Sequence, residues 1–444
     1  MSVDTVTAYV VGDVALILAV SSVLGAVARR LGQPTVVGQI LTGILLGPTI
    51  LGRVPGHPGN HLFPHQTLPY LGVLAQVAVV IFMFVVGYEI DFRSLRGNGG
   101  APPLVASSAL LVPMGLGACA VLLFPSGFVA TGERHVGSHT FVLFMAVATS
   151  VTALPVLAAI VRERGLAGST AGVVATAVAG AMDVAAWLVL AAAVAGSPHA
   201  PKRPLFVTVL LVTALVAVML LVVRPALRRW VERPKAILSY QLPIAVVLAT
   251  GSAWGTAWLG LHAVFGGFLA GLAMPGRDGS PDADVLSAME GAGSLLLPLF
   301  FVVTGLSLNL GALHGTDIAL FGLVLLIAGG GKLVPAYLAA RLGGLEPRQS
   351  ATVAALLNTR GLTELIALNV GLSSGIIHQR LFVILVLMAL TTTVMTSPLL
   401  RLIGAWWPPA HHEEPSERRG QPRGRQPHEH LPGPAEQPTG AAEI

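Results

Sequence analysis

One long apolar segment of this chain, residues 139–162, is interrupted by Thr149-Ser150-Val151-Thr152-Ala153-Leu154-Pro155. The proline of this stretch removes a helical hydrogen bond and displaces a carbonyl group, and the hydroxyls before it can bond to the freed backbone. A second apolar segment, residues 350–372, is interrupted by Asn358-Thr359-Arg360-Gly361-Leu362-Thr363-Glu364. Both segments are long enough to cross a bilayer, so the two polar stretches predict discontinuous membrane helices.

The composition of the whole chain supports a membrane protein. Of 444 residues, 54% are hydrophobic and 11% charged, whereas a soluble protein carries about 25% charged residues. The mean hydropathy is +0.77. These values exclude a soluble enzyme, a disordered protein and a secreted disulfide scaffold. The single cysteine, Cys119, excludes an intramolecular disulfide and a cysteine metal cluster. Because the sequence has no phosphate loop, nucleophile elbow or metal-ligand cluster, we expect neither enzymatic activity nor a cofactor.

Thirteen segments match a membrane-spanning helix of about 20 apolar residues. They lie at about 9–28, 35–51, 68–90, 103–124, 139–162, 170–195, 205–223, 238–256, 259–275, 292–311, 317–341, 350–372 and 380–404. With the N-terminus outside, the cytoplasmic loops hold fifteen Lys and Arg and the opposite loops five. By the positive-inside rule this predicts an outside N-terminus and a cytoplasmic C-terminus in the cell membrane. The net charge of +5 is therefore a topology signal, and no nucleic-acid partner is implied.

The thirteen spans divide into two halves of opposite topology. Taking residues 205–223 as a linker helix gives a first repeat over about 9–195 and a second over about 238–404, within a membrane transport domain of residues 1–407. Both broken helices are the fifth span of their half, which is typical of inverted-repeat transport folds. Residues 408–444 hold eight prolines and ten charges, which predicts a disordered cytoplasmic tail. We expect no signal peptide before the first span and no nucleotide-binding domain after the last.

Asp183 lies at the centre of the sixth span. A carboxylate at that depth costs several kcal/mol unless it is paired, solvated or protonated. Two interpretations follow: a buried hydrogen-bonding anchor, or a carboxylate that alternates between a proton and a dehydrated cation. The exchanging carboxylate is favoured, because ion exchange requires at least one group that can bind either a proton or a cation.

Three further charged side chains lie inside predicted spans. Arg360 and Glu364 are four residues apart, hence on one helical face, and are interpreted as an ion pair that supports the broken helix. Lys332 lies well inside the eleventh span, either as a counter-charge to Asp183 or as an amine that reaches to the interface. Asp13 and Glu89 are expected near span ends, in contact with water.

Several motifs together resemble the monovalent cation:proton antiporter-2 family, which includes sodium/proton antiporters and Kef-type potassium efflux systems. The resemblance covers about residues 10–405 and is carried by these runs, in order: residues 33–48, 149–157, 265–275, 298–306 and 358–371. It implies the sodium/proton antiporter fold, all α-helical with crossed discontinuous helices. It also implies a homodimer in the lipid bilayer, a six-helix core domain and elevator-like alternating access that exchanges Na⁺ or K⁺ for H⁺.

The resemblance also assigns site residues. Asp183 matches the acid that binds the cation and the proton, and Lys332 matches a basic residue of the eleventh span. The unwound stretch beside the acid matches Thr149, Ser150 and Thr152. Asn358 and Arg360 match the broken part of the twelfth span, and Thr359 is a further polar residue of that break.

One position departs from the family pattern. The residue before the essential acid is usually Asp, Asn or Gln, and here it is Met182. With one carboxylate in the site, electroneutral one-for-one exchange is the expected stoichiometry. Two rivals stay open: a channel-like potassium efflux protein, and a family member that transports organic substrates or nothing. No metal is expected beyond a transported Na⁺ or K⁺.

Overall fold

The computed structural model describes residues 2–55, 62–64, 66–89, 101–133, 136, 138–166, 168–197, 205–231, 241–276 and 280–406. The helices in these ranges are α1 Val3–Arg30, α2 Thr35–Leu46, α3 Leu68–Glu89, α4 Ala101–Leu123, α5 Pro125–Val129, α6 His139–Ser150, α7 Leu154–Glu163, α8 Thr170–Ala195, α9 Leu205–Ala217, α10 Arg224–Val231, α11 Gln241–Trp258, α12 Ala263–Ala273, α13 Ala283–Leu306, α14 Gly315–Leu325, α15 Gly331–Leu342, α16 Pro347–Leu357, α17 Leu362–Ser373 and α18 Gln379–Trp406. Two π-helical segments, Val218–Val223 and Leu326–Gly330, join α9 to α10 and α14 to α15.

The predicted all-α membrane fold is confirmed. Ten helical segments in the described ranges are long and apolar enough to cross a bilayer. The other three predicted spans coincide with α11, with the short apolar helix α12, and with the broken pair α16–α17. The predicted tail, residues 408–444, lies outside the described residues.

The helices pack into two bodies. The first body comprises α1–α3 and α9–α13, and the second comprises α4–α8 and α14–α18. Each helix makes its main backbone contacts within its own body. The apolar side chains between the bodies include Trp187 of α8, whose ring meets those of Phe265 and Phe268 of α12.

Close backbone contact holds the first body together. Gly43 of α2 faces Gly305 of α13, and a Cβ added at Gly43 would lie 2.6 Å from the Gly305 Cα. Without side chains at these positions the two helices pack at van der Waals distance, as small residues allow in membrane proteins.

Local sequence explains where the broken helices begin and end. Ser138 caps α6 by accepting a hydrogen bond from the Phe141 N–H. Pro155 stands in the first turn of α7, where its missing N–H would have no helical acceptor. The proline therefore starts the second half-helix, and Val151–Ala153 between the halves is extended.

One charged residue lies in a different environment from the expected one. Asp13, predicted near water at a span end, is 4% exposed inside α1. Its Oδ2 accepts a hydrogen bond from the Thr67 hydroxyl at 3.1 Å. The prediction was wrong because α1 begins at Val3, so that Asp13 lies in its third turn, and because Thr67, distant in sequence, contacts its carboxylate there.

Candidate functional site

The two polar breaks of the sequence meet in the second body. The Ala153 N–H donates to the Thr359 carbonyl at 3.1 Å, and the Thr152 hydroxyl donates to the Leu357 carbonyl at 3.0 Å. Gly361 fits against Val156, since a Cβ added at Gly361 would lie 2.7 Å from the Val156 Cγ2. The extended stretch between α6 and α7 therefore crosses the one between α16 and α17, as predicted.

Arg360 is fully buried at this crossing and bonds to both breaks. Its Nη1 donates to Glu364 Oε1 and to the Ala148 carbonyl, each at 2.8 Å. Its Nη2 donates to the carbonyls of Thr149 and Ala328. Arg360 and Glu364 are both 0% exposed, so the predicted ion pair is present and lies entirely within the protein.

Lys332 is likewise fully buried and points at the first break. Its ammonium donates to the Ser150 carbonyl, to the Val151 carbonyl at 2.8 Å and to the Thr152 hydroxyl at 2.7 Å. An ammonium group has three N–H donors, and all three are used here. Lys332 therefore does not reach to the membrane interface, and its hydrogen bonds go to the break rather than to the Asp183 carboxylate.

Asp183 belongs to α8. Its side chain meets the N-terminal end of α7, the second half-helix of this break. Asp183 is 1% exposed, and its Oδ2 accepts a hydrogen bond from the Leu154 N–H at 3.4 Å. The other oxygen, Oδ1, is buried and has no hydrogen-bond partner among the described atoms. The N-terminal end of a helix carries a partial positive charge that favours an anion, so α7 stabilises the ionised carboxylate while leaving Oδ1 available.

The hydroxyls of the first break bond mainly to backbone. Thr149 Oγ1 lies 3.0 Å from the carbonyls of Pro113 and Met145, and Ser150 Oγ donates to the Val147 carbonyl at 3.0 Å. None of the hydroxyls of Thr149, Ser150 and Thr152 is hydrogen-bonded to Asp183. In this conformation these three residues shape the break rather than contact the carboxylate.

Threonines of α18 hold the second break, a role not predicted from the sequence. Asn358 Nδ2 donates to the Thr392 carbonyl at 3.4 Å. Thr393 Oγ1 accepts from the Arg360 N–H at 3.2 Å, and Thr359 Oγ1 lies 3.4 Å from Thr396 Oγ1. The run Thr391-Thr392-Thr393 inside an apolar span was the available signal.

A cavity of about 810 Å³ borders α7 and α8, the helices at whose contact the Asp183 carboxylate lies. It lies between the two bodies, with walls from α3 and α13 on one side and α7 and α8 on the other. Its lining includes Leu154, which hydrogen-bonds to Asp183, and Gly180, three residues before it. Glu89, Arg162 and Glu290 are exposed in the same lining. The cavity therefore has charged side chains in its lining and reaches Leu154 and Gly180, while Asp183 itself is not part of the lining.

Comparison with known proteins identifies the family. The family model described as "Sodium/hydrogen exchanger, transmembrane" matches residues 16–402. The chain belongs to the sodium/hydrogen exchanger family. This confirms the cation:proton antiporter resemblance seen in the sequence motifs.

Named relatives agree with this membership, and a solved structure has the same fold. The exchanger-family chain is 32% identical over 410 residues to "Na(+)/H(+) antiporter NhaS4" of Synechocystis sp., covering 90% of this chain and 98% of the relative. It is 35% identical over 407 residues to "Cation/H(+) antiporter 20" of Arabidopsis thaliana, covering 88% of this chain. The match spans 48% of that plant relative. The fold matches that of the sodium proton antiporter MjNhaP1 from Methanocaldococcus jannaschii, with a TM-score of 0.62 at 14% identity over 90% of this chain and 97% of that one.

Proposed function

We propose that this chain is a secondary active antiporter that exchanges Na⁺ or K⁺ for H⁺ at Asp183. The observation that carries the proposal is the carboxylate itself, buried at a helix N-terminus, with one oxygen that has no hydrogen-bond partner in the described part of the chain. An isolated carboxylate in a dry interior is costly. Binding either a proton or a cation neutralises it, and the two ligands exclude each other because they occupy the same group.

The coordination chemistry suits a hard cation. Hard cations prefer oxygen ligands, and Asp183 Oδ1 supplies one that is anionic. We propose that oxygens of the first break, at Thr149, Ser150 and Thr152, complete the shell once the cation is bound. Asn358 and Thr363 of the second break contribute further buried side-chain oxygens, since Asn358 Oδ1 and Thr363 Oγ1 have no hydrogen-bond partner among the residues that the structure describes.

Alternating access would come from movement of the second body against the first, as an elevator. This is supported by the division of helix contacts, which leaves the main packing of each body within itself. The cavity between the bodies runs alongside α7 and α8. Sliding of the second body would carry Asp183 past the first body and expose it on the opposite face.

The orientation and assembly are part of the proposal. The distribution of Lys and Arg between alternate loops supports an outside N-terminus and a cytoplasmic C-terminus in the cell membrane. The cavity opening beside Glu89 and Arg162 then faces the cytoplasm. We further propose a homodimer, a first repeat over residues 9–195 and a second over residues 238–404.

Electroneutral exchange is proposed from the residue beside Asp183. Met182 is 1% exposed and cannot bind a proton, so one carboxylate exchanges one cation for one proton and no net charge moves. In reconstituted vesicles at fixed pH, the transport rate is expected to be independent of an imposed membrane potential. A rate that follows the potential would rule out this stoichiometry.

The decisive experiment uses proteoliposomes that contain a pH dye and are challenged in turn with Na⁺, K⁺ and Li⁺. We expect cation-evoked proton efflux that is abolished by Asp183→Asn and retained by Asp13→Asn, a matched change at another buried acid. Cation flux without proton movement would favour a channel-like efflux protein. No response to any cation by folded protein would favour an organic substrate or a role outside transport.

A further inference from the structure

One peptide group of the second break is hydrogen-bonded on both of its edges. This group joins Thr359 to Arg360, so it carries the Thr359 carbonyl and the Arg360 N–H. The Arg360 N–H donates to Thr393 Oγ1 of α18 at 3.2 Å, and the Thr359 carbonyl accepts from the Ala153 N–H of the first break at 3.1 Å. The N–H and the carbonyl point in opposite directions within one rigid plane, because the peptide bond is trans. The peptide group therefore bridges α18 and the first break.

The Thr393 hydroxyl also contacts the other backbone group of Arg360. Thr393 Oγ1 lies 2.5 Å from the Arg360 carbonyl and 2.8 Å from the Ala389 carbonyl of its own helix. A hydroxyl has one proton and two acceptor lone pairs, so its proton is shared between these two carbonyls while its oxygen accepts from the Arg360 N–H. Thr393 is 2% exposed. A buried backbone N–H that loses its partner is costly, so this hydroxyl fixes the backbone of the second break.

The two ends of the first break are held by different parts of Arg360. The guanidinium bonds to the last carbonyls of α6, whereas the peptide group bonds to Ala153 at the other end of the extended stretch. The residue after Ala153 is Leu154, whose N–H donates to Asp183 Oδ2 at 3.4 Å. A continuous chain of contacts thus runs from Thr393 through the peptide group and the first break to the Asp183 carboxylate.

We propose that Thr393 is a positioning residue for the ion site at Asp183. The inference rests on the proposed function, in which the cation takes oxygens both from Asp183 and from the first break. The position of the first break relative to the carboxylate is set at Ala153 and Leu154, which bond to the peptide group and to Asp183. Tight binding requires that the ligating groups are held in place before the ligand arrives. Loss of the Thr393 hydroxyl should therefore loosen the first break and weaken cation binding.

The variants remove or keep the hydroxyl at one position. Thr393→Val replaces it by a methyl group of similar size, and Thr393→Ser keeps it. Thr391→Val is the matched control on the same helix, since the Thr391 hydroxyl donates to the Leu387 carbonyl of α18 itself at 2.8 Å. Thr393→Ala is a second variant without the hydroxyl, for use if the valine variant does not fold.

The first measurement is deuterium uptake by the purified full chain, read by mass spectrometry of peptides that cover residues 149–157. This stretch contains the Ala153 and Leu154 amides. Removing one hydrogen bond shifts a local opening equilibrium about fivefold, so Thr393→Val should take up deuterium here about fivefold faster than the wild type. Thr393→Ser and Thr391→Val should take it up at the wild-type rate.

The second measurement separates KM from the maximal rate of cation-evoked proton flux in proteoliposomes. Thr393→Val should raise the KM for the transported cation about fivefold and change the maximal rate less, and Thr393→Ser should restore the KM. A lower melting temperature of Thr393→Val with an unchanged KM would overturn the proposal, because the hydroxyl would then only stabilise the fold.

The deuterium measurement decides the structural half of the proposal without transport. Wild-type uptake in Thr393→Val would overturn it, and so would equally fast uptake in Thr391→Val, which would show a general loosening of α18. A wild-type protein without antiport would refute the proposed function and with it the effect on cation binding. The comparison of uptake would still decide whether Thr393 positions the first break.

Discussion

Lys332 and Arg360 divide between them four consecutive carbonyl groups at the end of α6. Arg360 takes those of Ala148 and Thr149, and Lys332 takes those of Ser150 and Val151. The last carbonyls of a helix have no partner within it and carry its partial negative charge. Two buried cations therefore stabilise this half-helix end, while Asp183 lies at the positive start of α7. Charged side chains therefore stabilise both half-helix ends that meet at this break.

Removing the guanidinium of Arg360 should strongly destabilise the protein. Arg360→Gln leaves Glu364 buried without its counter-ion, and breaking such a pair costs about 3–5 kcal/mol. The double variant Arg360→Gln/Glu364→Gln should recover part of this loss. Thermal unfolding of the purified protein measures both, with the exposed Arg164→Gln as control. Arg360→Gln protein that melts with the wild type would contradict the structural role of the pair.

Lys332 should act as a hydrogen-bond donor rather than as an ion carrier. Lys332→Gln keeps an amide that can donate to the Ser150 and Val151 carbonyls, so folding and antiport are expected to persist at a reduced rate. Lys332→Met leaves these carbonyls without donors, at about 1–3 kcal/mol each, and should lower the melting temperature. If Lys332→Gln folds normally and exchanges no ions, the ammonium itself takes part in transport.

The crossing of the two breaks should depend on the space at Gly361. Gly361→Ala is expected to destabilise the protein, because the new methyl group would meet Val156. Val156→Ala in the same chain should relieve the clash, so the two changes would be strongly non-additive. Thermal unfolding of the two single variants and the double variant gives the coupling. Additive effects would mean that these residues do not touch.

A hydrogen bond between the bodies should favour the conformation seen here. Asn369 of α17 in the second body donates to Thr304 Oγ1 of α13 in the first at 3.1 Å. Thr304→Val removes it, and a loss of about 1 kcal/mol shifts the two conformations roughly fivefold. Pulsed electron paramagnetic resonance between spin labels at Val73 and Leu338 reports the change. Ser373→Ala, whose hydroxyl bonds within its own helix, is the control, and identical distance distributions in both variants would refute the effect.

The parts of this site visible in the sequence are those that local patterns encode. The two breaks follow from hydroxyls, proline and glycine within apolar spans, and the Arg360–Glu364 pair follows from spacing along the chain. Asp183 was conspicuous as a carboxylate at the centre of a span. The partners of Lys332 were ambiguous, because an apolar span does not reveal which helices surround it. The support from Thr393 and the burial of Asp13 depend likewise on contacts between segments distant in sequence.

Competition between protons and cations at Asp183 tests the central claim most directly. Initial rates of cation-evoked proton flux are measured in proteoliposomes over a range of cation concentrations at several pH values. If one carboxylate binds either ligand, the apparent KM for the cation should rise about tenfold per unit fall in pH where the site is mostly protonated. Asp13→Asn should show the same dependence, and Asp183→Asn should show no exchange. A KM for the transported cation that does not change with pH would contradict exchange at a single shared site.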